Sequence, residues 1–456
     1  SFSENKAQER SGVGDIFFQL CCFGVCWACL SSFRGERMNI EIKRDYYLEQ
    51  LISRMDNGLI KIVTGIRRCG KSYLLRTLFK KYLLEQGVSE DHIIEMAFDL
   101  YDNIEFRNPK VFYPWVKEKL QDGEKYYILL DEVQMLDEFV SVLNGLADKK
   151  NCDVFVTGSN AKFLSRDIVT EFGGRSDEIH MYPLSFSEFM SAYDGHYYDG
   201  WNEYITYGGI PIVVLADTDE QKMALLDNLF KETYIRDIVV RNKIRNVGEM
   251  EMLLNILSSA IGSLTNPNKL QKTFKSVNQS KITATTITKY IEYLEDSFLI
   301  EEAKRFDIRG KSYIGTPMKY YFMDMGLRNA RLNFRQMEVT HSMENVIYNE
   351  LRKRGYSVDV GNIMIVEPGK NGKTVKKQLE VDFVCSKGSK KYYIQSAYSL
   401  ETEEKMIQEI RPFTKINDFF KKIVITSNTP KPFYNDDGIL IMSVFDFLLK
   451  QESLEL

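Results

Sequence analysis

Four short stretches of this chain share one pattern. Each is a continuous apolar, β-branched run with a polar tip, followed by apolar residues at helical spacing. "LIKIVT" (59–64), "HIIEMAF" (92–98), "YYILL" (126–130) and "DVFVT" (153–157) read as buried strands. After the first come Leu74, Leu75, Leu78 and Tyr82, at the three- and four-residue spacing of a helix, and a further helix is predicted near Pro109 to Leu120. Strands alternating with helices predict an α/β fold with a parallel sheet. From Ser185 to about Asn246 the pattern becomes helical, in "SFSEFMSAY" and "EQKMALLDNLFKETYIRDIV".

Three more helical stretches follow: "VGEMEMLLNILSSAIGSL", "PNKLQKTFKSV" and "TATTITKYIEYLEDSFL". The last places Ile287, Tyr290, Ile291 and Leu294 on one face, after Thr283 as its N-cap. "IEEAKRF" and "KYYFM" then read as wing strands, which makes a winged helix-turn-helix. The final part opens with a helix whose core face is Met343, Ile347 and Leu351. It continues through two strands in "KQLEVDFVCSKGSKKYYIQSAYS" (377–399). The expected division is an extension (1–37), an α/β core (38–190), a helical lid (191–246), a winged-helix domain (247–330) and a C-terminal α/β domain (331–456).

Composition changes this picture little. Among 456 residues, 44% hydrophobic and 27% charged content are those of an ordinary globular protein. A net charge of −4 excludes a broadly basic coat for nucleic acid, although not a local basic patch. The first 37 residues differ from the rest. Ile16 to Leu30 is apolar but shorter than the ~20 residues that span a bilayer. Cys22, Cys26 and Cys29, beside Cys21, would share a helical face, but no second ligand pair follows at zinc spacing. An extension without a fold of its own is expected, with no membrane anchor. The remaining cysteines, Cys69, Cys152 and Cys385, are scattered, as suits a reducing cytoplasm.

The candidate chemistry starts where the first strand ends. Gly65-Ile66-Arg67-Arg68-Cys69-Gly70-Lys71-Ser72 matches G-x-x-x-x-G-K-[ST] between a strand and a helix, the context that this motif needs. Glycines let backbone N–H groups wrap phosphate oxygens at a helix N-terminus. Residues 65–73, from Gly65 to Tyr73, are therefore the expected ATP-binding loop, with Lys71 on the β- and γ-phosphates and Ser72 on Mg²⁺. The "YYILL" strand ends in Asp131 and Glu132. Asp131 is placed to hold Mg²⁺ through water, and Glu132 to activate the attacking water. "DVFVTGSN" ends in Ser159 and Asn160; Asn160 is a candidate γ-phosphate contact, with an N-cap role as the alternative. The next helix stops at Gly173-Gly174, and Arg175 follows, where an arginine finger would reach a neighbouring subunit's phosphate. Arg236 in the lid reads either as a phosphate contact or as an ion-pair partner of Asp237.

The chain resembles the prokaryotic AAA-type ATPases that carry a C-terminal restriction-endonuclease-like domain of unknown function. The resemblance rests on "TGIRRCGKSYLL", "YYILLDEVQ", "VTGSNAKFLS", "GGRSDEIHMYPLSFSEF", "YGGIP", "YIRDIV", "KYYFMDMGLRNA" and "LEVDFV". It implies a cytoplasmic, homo-oligomeric ATPase. The same resemblance makes Glu344, Asp382 and Gln395 the metal-side residues of a nuclease core. Ala397 stands where that core needs a lysine, with Lys390 and Lys391 earlier on the same strand as the remaining sources of an ammonium group. Three functions stay open at this point. One is an ATPase acting on or with DNA or RNA, for which Lys269, Lys272, Lys275 and Lys281 speak. The second is a nucleotide-controlled switch that binds a protein partner. The third is an ATP-dependent nuclease.

Overall fold

The computed structural model describes residues 41–158, 172–278, 280–368 and 374–456. The cysteines near the N-terminus, Ser159 and Asn160 lie outside the described residues. The chain forms two compact units. Asp45–Thr64 and Lys71–Ile179 make the first; Gly65–Gly70 and His180–Leu456, with a short segment ending at Arg44, make the second. No helix among the described residues is long and apolar enough to cross a membrane.

The first unit is built on a five-stranded sheet. Its strands are β1 (Ile60–Thr64), β2 (Ile93–Ala97), β3 (Tyr126–Asp131), β4 (Cys152–Thr157) and β5 (Ser176–His180). Their order is β2-β3-β4-β1-β5. The pairs β2–β3, β3–β4 and β1–β4 are parallel. Strand β4 thus separates β1 and β3, the strands that carry the two motifs. Every residue of β1, β3 and β4 is buried, which is why these runs are mostly apolar rather than alternating; buried Lys61 and Asp153 pair with each other across β1 and β4. Ile62, Ile128, Leu130, Val154 and Val156 pack with Phe98, Phe112 and Leu143 into the core. The helix after the glycine loop runs Lys71–Tyr73, widens to a π-helix over Leu74–Phe79 and continues as Lys80–Glu85. It buries Leu74, Leu75, Leu78, Phe79 and Leu83.

The second unit contains an eight-stranded sheet. Its strands are β6 (Ile300–Asp307), β7 (Ser312–Phe322), β8 (Ser357–Pro368), β9 (Thr374–Lys387), β10 (Lys390–Ala397), β11 (Lys421–Thr426), β12 (Phe433–Tyr434) and β13 (Leu440–Ser443). They lie in the order β12-β13-β11-β10-β9-β8-β6-β7. The hairpin expected as a wing is therefore continuous with the C-terminal sheet, because β6 pairs in parallel with β8 through Arg305↔Val360 and Asp307↔Asn362. The sheet crosses the expected boundary at residue 330. Three helices, Val247–Ser259, Pro267–Asn278 and Ala284–Asp296, precede the hairpin in the expected sequence.

Two of the sequence blocks that carry the resemblance lock together in this unit. The N–H of Gly209 in "YGGIP" donates to Asp324 Oδ2 at 2.7 Å, and Asp324 Oδ1 caps the next helix by accepting from Leu327 N at 3.0 Å. A Cβ on Gly209 would stand 2.2 Å from the carbonyl oxygen of Leu184, so no side chain fits there. Asn329 Nδ2 donates to the carbonyls of Ile205 and Thr206 at 2.8 and 2.9 Å. Arg328 is fully buried, with Nε donating to the Ser258 carbonyl at 2.8 Å. These motifs build a joint between helix Tyr197–Tyr207 and helix Met325–Arg331.

Candidate functional site

The tips of β3 and β4 and the start of the following helix converge in the first unit. Asp131 ends β3 and is buried. Ser72 Oγ donates to Asp131 Oδ1 at 3.0 Å, so the two expected Mg²⁺ residues stand side by side. The hydroxyl of Thr157, at the tip of β4, donates to the same carboxylate oxygen. Thr157 Oγ1 also accepts the backbone N–H of Glu132 at 2.9 Å. One hydroxyl thereby ties together both acidic positions of the Asp-Glu pair. Burial raises the Asp131 carboxyl above its usual range, the bonds from Thr157 and Ser72 oppose this, and the neighbouring charge of Glu132 adds to it. A hydroxyl and a carboxylate are hard oxygen donors of the kind that suit Mg²⁺.

Glu132 adopts a left-handed backbone, φ +51°, which is uncommon for a residue with a side chain and costs about 1–3 kcal/mol. Its carboxylate accepts a hydrogen bond from the Gln134 side-chain amide. Lys71 is buried at the head of its helix. Thr157 escaped the sequence reading, which looked two residues further along, to Ser159 and Asn160. A hydroxyl within an otherwise apolar buried strand was the available signal, because a buried polar group must find a partner.

The glycine loop belongs to the second unit and packs within it. Gly65 has φ +141°, and a Cβ there would lie 2.1 Å from the Met181 carbonyl oxygen. Gly70 at φ +103° and Arg68 at φ +67° complete its unusual backbone. The phenol of Tyr234 donates to the carbonyl oxygen of Arg67 at 2.7 Å, and Cys69 Sγ donates to that of Met181 at 3.5 Å. Tyr234 closes the π-helical segment Leu229–Ile235, in the stretch expected to be the lid. Asp237 pairs with Arg241, one helical turn on.

Arg175 is exposed and pairs with Asp148 at 2.7 Å. Its carbonyl accepts from Ile60 N at 2.8 Å, which fixes it beside the start of β1. The glycine loop leaves from the other end of that strand, four residues on, or about 13 Å away.

The expected nuclease residues do meet, but around an ammonium group. Lys319 on β7 places Nζ 2.7 Å from Glu380 Oε1, 2.8 Å from Glu344 Oε1 and 3.5 Å from Asp382 Oδ1. Its side chain is 3% exposed. Glu344 Oε1 also accepts the Tyr321 hydroxyl at 2.6 Å, and Asp382 Oδ2 accepts Ser396 N at 2.9 Å. Burial works against ionising Glu344, yet Lys319 and the bonds from His341 and Tyr321 outweigh it and hold its carboxyl down at about 2. Burial raises Asp382, which the ammonium only partly offsets.

Gln395 was expected as a metal ligand, but its oxygen instead accepts Asp382 N at 3.4 Å while its amide donates to Glu409 at 3.3 Å. Among the described residues, no group of three or more His, Cys, Asp or Glu side chains is disposed to hold a metal ion. Glu344 and Asp382, the carboxylates that the resemblance places on the metal side, are instead engaged with Lys319, Tyr321 and the Ser396 amide. Neither Lys390 nor Lys391 substitutes for the missing lysine. Lys390 pairs with Glu455, and Lys391 lies over the rings of Tyr393, Phe420 and Phe306. Lys319 was hidden because only the pairing of β6 with β8 brings the hairpin to this helix and strand.

Residues 57–190 match a family model described as an AAA domain, and residues 198–338 match one described as a domain of unknown function. An uncharacterized protein of Haemophilus influenzae is 34% identical over 418 residues, spanning 90% of this chain and 99% of that protein. An uncharacterized protein of Methanocaldococcus jannaschii is 28% identical over 408 residues, 85% of each chain. Among solved structures, Aeropyrum pernix ORC1 in complex with DNA aligns over 65% of this chain and 93% of its own, at 12% identity and a TM-score of 0.27. The Saccharomyces cerevisiae Hsp104–ADP complex aligns over 69% of this chain and 42% of its own, at 12% identity and a TM-score of 0.29.

Proposed function

This chain belongs to the prokaryotic AAA-type P-loop ATPases, and from that premise we propose that it binds and hydrolyses ATP with Mg²⁺ and works on or with nucleic acid. The observation that carries the hydrolytic reading is the chain Ser72–Asp131–Thr157–Glu132, in which one hydroxyl fixes both acidic positions at the strand tips. Ser72 and Asp131 would hold the Mg²⁺ that bridges the phosphates. Lys71 would neutralise the β- and γ-phosphates, and Glu132 would orient the attacking water and take its proton. The loop Gly65–Tyr73 would supply backbone N–H groups to the phosphates.

Arg175 supports an oligomer. Exposed beside the start of β1, it is available to act as a finger toward a neighbouring copy of the chain. Nucleic-acid contact is supported by Lys269, Lys272 and Lys275, three residues apart on one helix, and by Lys281. All four are exposed. The helix Ala284–Asp296 adds exposed Thr285, Thr288 and Lys289, while exposed Glu292 opposes phosphate contact. The three free cysteines among the described residues, Cys69, Cys152 and Cys385, are buried, which fits a cytoplasmic protein.

Steady-state ATP turnover tests this reading. Lys71→Ala should abolish turnover and weaken ATP binding. Glu132→Gln should abolish turnover while binding persists. Unchanged turnover in either variant sinks the assignment. Adding single- or double-stranded DNA or RNA should stimulate the wild type. That stimulation should fall between 50 and 200 mM salt and weaken in Lys272→Glu/Lys275→Glu. No stimulation by any of these would favour the protein-binding switch.

A further inference from the structure

We infer that the ammonium of Lys319 occupies the C-terminal pocket in place of a divalent metal ion, and that this pocket performs no metal-dependent cleavage of nucleic acid. Three carboxylates converge there: Glu344 from helix Val339–Lys353, and Glu380 and Asp382 from β9. At the point of convergence stands the Lys319 nitrogen, at hydrogen-bonding distance from two of them and 3.5 Å from the third. A magnesium ion needs near-octahedral oxygen donors at about 2.0–2.1 Å and keeps several waters. Here the central position is filled by a cation covalently fixed to β7.

The remaining donors are turned inward. Tyr321 bonds Glu344, the Ser396 amide bonds Asp382, and the oxygen of Gln395 serves the Asp382 amide. A lysine that had migrated to assist a nuclease would instead need water and substrate beside it. The side chain of Lys319 is 3% exposed; its ammonium donates to Glu344 and pairs with Glu380 and Asp382. Lys319 and Ala397 thus complement each other: position 397 carries no ammonium, and Lys319 supplies one in a place where it blocks the ion. This conclusion concerns residues apart from the ATPase motifs and does not rest on the ATPase reading.

The test is Mn²⁺ binding to the nucleotide-free full chain, followed by calorimetric titration and by the electron paramagnetic resonance signal of free Mn²⁺. Wild-type protein and Asp382→Asn should give the same isotherm, with no site lost on substitution. A wild-type Mn²⁺ site that Asp382→Asn removes overturns the inference. So does Mn²⁺-dependent cleavage of plasmid DNA that Asp382→Asn abolishes. Lys319→Met removes the charge at similar length. It should gain a Mn²⁺ site at least tenfold tighter than any in the wild type, and Lys319→Met/Asp382→Asn should lose it. A folded Lys319→Met protein that stays indifferent to Mn²⁺ counts against the inference. If that variant does not fold, the comparison of wild type with Asp382→Asn decides alone.

Discussion

Thr157 Oγ1 accepts the backbone N–H of Glu132 at 2.9 Å, so the left-handed turn of Glu132 is held from the neighbouring strand. The same hydroxyl donates to Asp131. Thr157→Val keeps the shape and removes both bonds. A hydrogen bond to a charged group contributes about 1.5–3 kcal/mol. ATP turnover should therefore fall by roughly ten- to a hundredfold. Binding of a fluorescent ATP analogue should change only a few-fold. Turnover at the wild-type level would show that Thr157 holds nothing that matters for the chemistry.

Tyr234 offers a second point of control, through its 2.7 Å bond to the Arg67 carbonyl within the glycine loop. Tyr234→Phe leaves the ring packed and that carbonyl short of one donor. Affinity for ATP should drop by a factor of about 2–10, as expected for a bond worth about 0.5–1.5 kcal/mol. Equilibrium titration with the same analogue measures it, and an unaltered affinity would assign the bond to stability alone.

Mixing experiments address Arg175. Arg175→Ala protein should turn over slowly by itself. When mixed with Glu132→Gln protein it should give rates that depart from the sum of the two, since each copy would complete the other's site. Strictly additive rates across all mixing ratios would argue for a surface role, with Asp148 as the only partner that counts.

The Gly209–Asp324 joint carries a pH signature. Burial raises the Asp324 carboxyl to about 6, with the amide bonds from Gly209 and Leu327 opposing the shift. Its contribution to stability is therefore full below about pH 4, the carboxyl's unfolded value, and is lost as pH rises through about 6. The loss is on the order of 3 kcal/mol. Denaturant unfolding of Asp324→Asn should show a flatter pH dependence across that window. An identical slope would place the titration elsewhere.

A similar group sits on the third helix of the 247–296 region. Glu295 is half-buried, and burial followed by the charge of Glu302 raises it to about 8. Stability from this residue is complete below about pH 4.5 and disappears as pH rises through about 8. Glu295→Gln should melt at a higher temperature than the wild type at pH 8.5, and the gap should close near pH 5. A gap independent of pH would contradict the assignment.

The α/β core was readable because its signals are local. A buried parallel strand is mostly apolar, so β1, β3 and β4 stand out in the sequence. Lys71, Ser72, Asp131 and Glu132 follow from two contiguous motifs. Thr157 was visible only as a polar residue in an apolar run. Lys319 was not visible at all, since its partners lie 25, 61 and 63 residues away on a different helix and strand. The burial of Glu295 is hidden for a similar reason: helical periodicity gives the core face but not what packs on its margin. "YGGIP" and "KYYFMDMGLRNA" are among the blocks that carry the resemblance, and the sequence does not show what they do. Their glycines and Asp324 serve a joint, where backbone approaches too closely for any Cβ.

The continuity of the β6–β7 hairpin with the C-terminal sheet sets where this chain can be cut. A fragment beginning at residue 331 would retain Glu344, Glu380 and Asp382 and leave Lys319 behind, so three carboxylates would face one another with no cation among them. It would also bare the β8 edge that β6 now covers, a row of unpaired N–H and C=O groups of the kind that recruits stray strands. The hairpin is tied upstream in turn, because Thr265 and Met318 exchange two backbone hydrogen bonds at 2.8 Å. Dissection of this protein for expression therefore has no natural break after the hairpin, nor at any point between Gly209 and Asp324, whose bond would be cut apart within the second unit.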